Sequence, residues 1–210
     1  MPLDKNLLFY AHGFNSAIPE DISTSPKISA VADFCRCTGR AFHPLNIDYR
    51  KAEQHSREIL DLVPGDVERV IFCGASMGGW FARVMQLLLA GQRPELPVEA
   101  VIFNPAFNLA EFSHHLEGHQ HNYVTLEKYE FKREHSEKLI HLERSVDYHA
   151  DLPLWVYVDA EDEVINAQWS QKWHSGISRF VSYPGGSHSF EHAREALDDF
   201  EPGCWNRAEQ

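Results

Sequence analysis

The stretch Val70–Trp80, VIFCGASMGGW, decides the fold. Its apolar first half is typical of a buried strand, and it leads into Gly74-Ala75-Ser76-Met77-Gly78, which fits the G-x-S-x-G pattern of a strand-to-helix turn that exposes a serine. The flanking glycines let neighbouring chain approach the turn closely, and the helix that follows favours negative charge at its N-terminus. We therefore predict that Ser76 is a nucleophile lifted above the end of a sheet.

Outward from this turn, apolar runs alternate with amphipathic ones. The predicted strands are Asn6–Ala11, Arg40–Ile47, Val67–Gly74, Val98–Phe103, Leu154–Val158 and Ser178–Tyr183. The predicted helices lie near Lys27–Cys37, Ala52–Val63, Gly78–Ala90 and Phe190–Phe200, the first with Ser25 as N-cap and Pro26 at its first position. This alternation predicts an α/β fold with a mostly parallel sheet between helices, whose site lies beyond the carboxyl ends of the strands. A chain of 210 residues fits one such domain.

One segment interrupts the alternation. No clear strand pattern appears between Pro105 and Leu152. This segment is rich in His, Glu and aromatic side chains. We expect one or two helices here, inserted at about 106–151 as a short cap over the sheet edge. Its aromatic residues Phe107, Phe112 and Tyr123 would supply an apolar wall, and Phe112 is our candidate for substrate contact.

Composition excludes several classes of protein. The net charge is −12 without a basic stripe, which argues against nucleic acid and anionic membranes as partners. No run of about 18 apolar residues predicts a transmembrane helix, and the apolar stretch near the N-terminus is too short for a signal-peptide core. Cys35 and Cys37 are too closely spaced for a usual zinc pair. We expect a reduced, cytoplasmic protein without metal or cofactor, whose oligomeric state the sequence leaves open.

A serine nucleophile needs a base, and in this type of fold the chain order is serine, acid, histidine. His188 lies in YPGGSHSF, residues 183–190, on a Gly-rich loop between the last strand and the last helix. That position lets its ring reach the top of the sheet, so we assign His188 as the base. His192 falls within the predicted helix, where we expect a surface residue.

The acid should follow the strand Leu154–Val158, where Asp159, Glu161, Asp162 and Glu163 are candidates. We favour Asp162 because the carboxylate should lie some residues past the strand end, and because Val164 would pack the loop onto the core. Asp159 continues the strand directly and is expected to be a structural turn residue. The acid would hold the tautomer of His188 and stabilise its imidazolium form.

An oxyanion hole is expected from two backbone amides. Gly13 frees the turn after the first strand so that the Phe14 amide can point at the substrate oxygen, and the Met77 amide supplies the second donor. Gly13 would thereby line the substrate site. We expect His12 to support this turn and to take no part as a base.

Two further features, the Asn104-Pro105 turn and a histidine cluster, each allow two interpretations. Asn104-Pro105 ends a strand at the same sheet edge and either lines the site, with Asn104 in contact with substrate, or only terminates the strand. The cluster His114, His115, His119 and His121 suggests metal, since His115 and His119 would share a helical face. A solvated face of the cap is the interpretation we favour.

The motifs together carry a family resemblance. YAHGFNS, CGASMGGW, VIFNPAFN, EDEVIN and GGSHSF resemble the small YqiA/YcfP-like branch of the α/β-hydrolases, over the core from about Leu7 to Phe200. The resemblance implies an esterase acting on short acyl esters or thioesters, with Ser76, Asp162 and His188 as its catalytic triad. Members similar to YcfP lack the elbow serine, which this chain keeps. The His-rich segment between Pro105 and Leu152 is longer than in compact members.

We accordingly predict a serine hydrolase that cleaves short-chain carboxylic esters through an acyl-enzyme. A thioesterase or acyltransferase would use the same three residues. A non-catalytic binding module that keeps the fold and has lost the chemistry is the alternative from another class, and an intact serine, acid and histidine in the expected order speak against it.

Overall fold

The computed structural model describes residues 5–173 and 177–209, and there the expected alternation of strands and helices is confirmed. The strands are β1 Asn6–Ala11, β2 Ala41–Leu45, β3 Arg69–Ala75, β4 Val98–Phe103, β5 Gly118–His121, β6 Lys128–Phe131, β7 Leu154–Asp159 and β8 Arg179–Tyr183. The α-helices are α1 Pro26–Thr38, α2 Ala52–Asp61, α3 Met77–Gln92, α4 Leu109–Phe112, α5 Arg133–Arg144, α6 Ala167–Trp173 and α7 Ala193–Phe200.

The main sheet has six strands in the order β2-β1-β3-β4-β7-β8, and every neighbouring pair is parallel. Its two faces carry separate cores. Leu7 and Phe9 of β1 pack with residues of α2, α3 and α5, whereas Leu8 and Tyr10 pack with residues of α1 and α7. Burial on both faces explains why the strands are nearly continuous apolar runs.

Local sequence signals determine where helix α1 begins and ends. Ser25 caps α1, its side chain accepting a hydrogen bond from the Ile28 amide, and Pro26 occupies the first turn, as the sequence predicts. The helix ends at Gly39, which adopts a left-handed conformation with φ 66°.

The segment between β4 and β7 differs from the prediction. It contains the helices α4 and α5, but between them β5 and β6 form an antiparallel hairpin. The strands are four residues each and mostly exposed, and Phe131 is their one fully buried side chain. Residues 118–121 (GHQH) have no apolar side chain, and the polar–apolar alternation of 128–131 (KYEF) covers only four residues, which is too short to predict a strand. His115 and His119 therefore do not share a helical face, because His119 lies on β5 and His115 in a 3₁₀ turn.

Buried polar contacts attach this segment to α3. The indole Nε1 of Trp80 donates to Glu143 Oε2 at 2.9 Å, and the Leu109 amide donates to the same oxygen at 3.1 Å. Burial raises the pKa of Glu143. Arg83, also buried, donates to the carbonyls of Tyr148 and Ala150. The segment between β4 and β7 is therefore held to the helix that starts directly after Ser76.

A membrane-crossing helix would need greater length and apolar character than any helix among the described residues has.

Candidate active site

Ser76 lies at the junction of β3 and α3 in a backbone conformation that side chains rarely adopt, with φ 56° and ψ −126°. The turn is tight because it packs against the end of β1. A Cβ on Gly78 would overlap the Ala11 carbonyl oxygen, and a Cβ on Gly74 would overlap the Gly78 carbonyl. The two glycines of the motif are thus required by close backbone approach.

The structure brings Ser76 together with two of the other predicted residues. His188 Nε2 lies 3.0 Å from Ser76 Oγ, and His188 Nδ1 lies 3.0 and 3.1 Å from the two carboxylate oxygens of Asp162. The Asp162 side chain is only 1% exposed. With Nδ1 protonated, the ring donates to Asp162 and its other nitrogen accepts the serine proton. This geometry allows proton transfer from the hydroxyl to the imidazole.

The loop that carries Asp162 is held by the carboxylate itself. Asp162 Oδ1 accepts hydrogen bonds from the amides of Val164 and Ile165, both at 2.8 Å. One reason given for choosing Asp162 was wrong, because Val164 is 60% exposed and Ile165 is the residue that packs into the core. Glu163 accepts from the His188 amide at 3.0 Å, and backbone hydrogen bonds of this kind lower the pKa of Glu163.

A second carboxylate lies below the His188 loop. Asp159 is fully buried and accepts hydrogen bonds from the amides of Ser187 and Glu191 at 3.2 and 2.8 Å. His192 was expected to be a surface residue within the helix. Instead it precedes α7, its Nδ1 lies 2.7 Å from Asp159 Oδ1 and its ring stacks on Tyr183. Asp159 is thus a structural residue of the turn, as expected, but its contacts reach the whole loop.

Asn104 holds the same loop from β4. Its side chain is fully buried, donating from Nδ2 to the Ser187 carbonyl at 2.8 Å and accepting at Oδ1 from the Asp159 amide at 2.8 Å. Its backbone has φ 39°, which Asn tolerates better than most residues. Such burial does not fit the predicted contact with substrate. Asn104 instead connects the loops that follow β7 and β8.

Sequence reasoning missed a lysine at this loop. Lys27, in the first turn of α1, donates from Nζ to the Ser189 carbonyl at 2.8 Å. Burial lowers the pKa of Lys27 to about 8. The two residues are far apart in the sequence, and no local pattern predicts their contact.

The loop after β1 passes directly beside the nucleophile. A Cβ on Gly13 would come within 3.3 Å of Ser76 Cβ. His12 supports the turn, as expected: it is buried, its Nδ1 lies 2.7 Å from the Gly13 carbonyl and its Nε2 accepts from the Ile47 amide at 3.0 Å. Burial lowers the pKa of His12, which favours the neutral ring that lets Nε2 accept from the Ile47 amide.

The two amides predicted to form an oxyanion hole lie on either side of this approach. Met77 is the first residue of α3, where helix amides have no partner within the helix. Phe14 directly follows Gly13, and among the described residues none accepts a hydrogen bond from its amide. Their role toward a substrate stays a prediction.

The cap aromatic residues occupy different surroundings. Phe112 is half-buried against the larger core, and Phe107 stacks on Trp173 with ring centroids 6.0 Å apart. Tyr123 is 74% exposed in the hairpin turn, so it supplies no wall. The substrate contact assigned to Phe112 stays a prediction.

Among the described residues, no three or more His, Cys, Asp or Glu side chains lie close enough together to hold a metal ion. A polar cleft of about 290 Å³ opens on the other side of the β1 loop, with Asn15, Asp48, Arg50 and Tyr129 among its lining.

Comparison with solved structures identifies the fold. Est1E from Butyrivibrio proteoclasticus is similar over 100% of this chain and 91% of its own, with 15% identity and a TM-score of 0.66. The esterase domain of a Rhodothermus marinus protein is similar over 99% and 88%, with 16% identity and a TM-score of 0.60. Alpha/beta hydrolase domain-containing protein 10 from mouse is similar over 92% and 88%, with 17% identity and a TM-score of 0.61. The fold is that of the α/β-hydrolases.

The chain belongs to the uncharacterised protein family UPF0227, the YqiA/YcfP family, whose model matches residues 7–200. The resemblance inferred from the sequence motifs is thereby confirmed. Comparison with curated protein sequences gives no significant match.

Proposed function

We propose that this protein is a serine carboxylesterase that hydrolyses short-chain acyl esters through the triad Ser76, His188 and Asp162. One observation carries the proposal: a serine in a strained strand-to-helix turn lies 3.0 Å from an imidazole nitrogen whose partner nitrogen faces a buried carboxylate. This is the arrangement that activates a hydroxyl for acyl transfer.

In the proposed cycle, Ser76 Oγ attacks the acyl carbonyl carbon while His188 Nε2 takes its proton. Asp162 stabilises the resulting imidazolium. The carbonyl oxygen becomes an oxyanion and accepts hydrogen bonds from the amides of Phe14 and Met77, each of which is typically worth about 3 kcal/mol.

The tetrahedral intermediate then collapses. The ester bond breaks, His188 gives its proton to the leaving alcohol oxygen, and an acyl-Ser76 ester remains. Water attacks this acyl-enzyme with His188 again as base, and the carboxylic acid leaves. These steps use only water and the side chains named, so the proposal calls for no cofactor.

The proposed partner is a small acyl ester or thioester, with short acyl chains inferred from the family resemblance. The proposed compartment is the cytoplasm, which is supported by four cysteines that are free thiols, three of them buried.

A fluorophosphonate probe and a panel of p-nitrophenyl esters test the proposal. The wild-type protein should be labelled at Ser76 and should hydrolyse acetate or butyrate esters. Ser76→Ala should lose both properties without loss of folding, and Ser23→Ala, at an exposed serine, should keep them. Labelling that persists in Ser76→Ala, or a wild-type protein that is neither labelled nor active on esters or thioesters, contradicts the proposal.

A further inference from the structure

Asn15 connects the loop beside Ser76 to the cap hairpin. It directly follows Phe14 and has a left-handed backbone, with φ 56°. Its side-chain Nδ2 donates to Gln120 Oε1 at 2.7 Å, and its Oδ1 accepts from the Tyr129 hydroxyl at 2.7 Å. Its carbonyl accepts from the Tyr123 amide at 2.9 Å. Both polar groups of its side chain and its backbone carbonyl are therefore engaged by one hairpin.

The residues on either side of Asn15 are held by the same hairpin. Asn122 Nδ2 donates to the Ser16 carbonyl at 2.8 Å. The Phe14 ring meets Phe131 edge to face, with centroids 5.2 Å apart, and Phe131 is fully buried. Three consecutive residues of the β1 loop are thus fixed by side chains or backbone of the segment 118–131.

The direction of each hydrogen bond is defined. Burial raises the pKa of Tyr129 to about 12, so its hydroxyl keeps its proton and donates. Gln120 Nε2 donates to the Leu116 carbonyl at 2.7 Å, which turns its oxygen toward Asn15. The Tyr129 ring lies under the Arg50 guanidinium at 4.5 Å, and Arg50 is itself paired with Asp48. A flipped Asn15 amide would set its oxygen against Gln120 Oε1 and lose that hydrogen bond.

We propose that the hairpin β5–β6 positions the β1 loop. In this proposal Tyr129 and Gln120 are positioning residues that act through Asn15 on the Phe14 amide. The inference rests on the proposed function, in which that amide stabilises the oxyanion. A donor must be aimed at where charge develops, and a small misplacement costs much of its effect. The hairpin consequently contributes to the chemical step.

Tyr129→Phe removes only the hydroxyl that holds Asn15 Oδ1. We expect kcat for the best ester to fall about tenfold, with KM within twofold, because only an interaction made in the transition state is weakened. Asn15→Gly, which keeps the left-handed backbone and removes both side-chain contacts, should lower kcat further. Tyr123→Phe, at an exposed tyrosine of the same hairpin, is the matched control and should match the wild type.

Hydrogen–deuterium exchange of the peptide spanning residues 11–18 provides a readout that does not depend on activity. Faster exchange there in Tyr129→Phe and Asn15→Gly, with thermal unfolding near that of the wild type, supports the proposal. Unchanged exchange and unchanged kcat in both variants overturn it, as does a rise in KM alone, which would assign the hairpin to access. If the wild type is inactive and unlabelled, the proposed function fails, while the exchange experiment still decides whether the hairpin holds the loop.

Discussion

Asp159 Oδ1 lies 2.7 Å from His192 Nδ1, so a second carboxylate–imidazole pair joins the end of β7 to the loop that also carries His188. The two pairs differ in what else they contact. Asp162 holds an imidazole whose other nitrogen faces Ser76, whereas Asp159 also accepts the backbone amides of Ser187 and Glu191. A Cβ on Gly186 would overlap the Asp159 carboxylate, so the loop wraps closely around it. Asp162 therefore contacts the imidazole next to Ser76, whereas Asp159 holds the backbone of the loop.

Asp162→Asn should lower kcat by about 10⁴-fold, because an amide in place of the carboxylate favours the wrong tautomer of His188. Asp159→Asn should lower kcat much less and should instead reduce the free energy of unfolding by about 1–3 kcal/mol, since its new NH₂ group would oppose buried amide donors. Ester kinetics and urea unfolding of both variants check this. If the effects on kcat come out in the opposite order, the acid is Asp159.

The core of the fold was predictable because its signals are local. The bounds of β1 and β4 agree with the prediction to the residue, since continuous apolar runs ended by polar residues or turns mark buried strands. Ser76 and His188 were selected from a motif and from chain order, and the structure places their side chains 3.0 Å apart. The hairpin β5–β6 was not found, because its stability comes from contacts with the β1 loop rather than from its own pattern.

The residues that support the site could not be predicted from the sequence for a related reason. Asn104 meets Ser187, and Lys27 meets Ser189, across more than eighty positions of chain. Nothing in the neighbourhood of either residue indicates such a partner. Asp162 was chosen for its distance from the strand end, and the structure places it beside His188, although the packing assigned to Val164 belongs to Ile165.

His12 should make the protein less stable in mild acid. Its folded-state pKa lies below the ordinary value of 6.5, so the unfolded chain binds the proton more readily. The stabilisation is therefore present above pH 6.5 and is lost as the pH falls through the lowered pKa, when Nε2 can no longer accept from the Ile47 amide. In urea unfolding at pH 5, 6 and 7, His12→Gln should show a smaller decline than the wild type.

His141→Gln is the matched control for this measurement, because His141 is an exposed histidine on α5. Its decline in stability should follow that of the wild type. An equal decline in all three proteins would mean that His12 does not carry the acid sensitivity.

Glu143 should act as a hydrogen-bond acceptor rather than as a charge. Glu143→Gln keeps an oxygen for Trp80 Nε1 and the Leu109 amide and removes the cost of a buried charge, so stability at pH 7 should stay equal or rise. Glu143→Ala leaves both donors unpaired and should cost about 2–5 kcal/mol, roughly the desolvation penalty of two buried groups. Thermal and urea unfolding separate the two variants. Equal losses in both would show that the carboxylate charge itself is needed.

The cap should govern acyl-chain preference without binding metal. Phe112 is half-buried against the core, and Phe112→Ala should change the ratio of butyrate to octanoate hydrolysis more than it changes the rate with acetate. Replacing His115 and His119 together with Gln should leave activity nearly unchanged, because both are exposed and neither belongs to the proposed proton path. Rates with two acyl lengths, measured with and without chelator in the wild type and both variants, test these expectations together. The histidines would bind a functional metal if chelator removed the wild-type activity, zinc restored that activity, and chelator had no effect on the histidine variant.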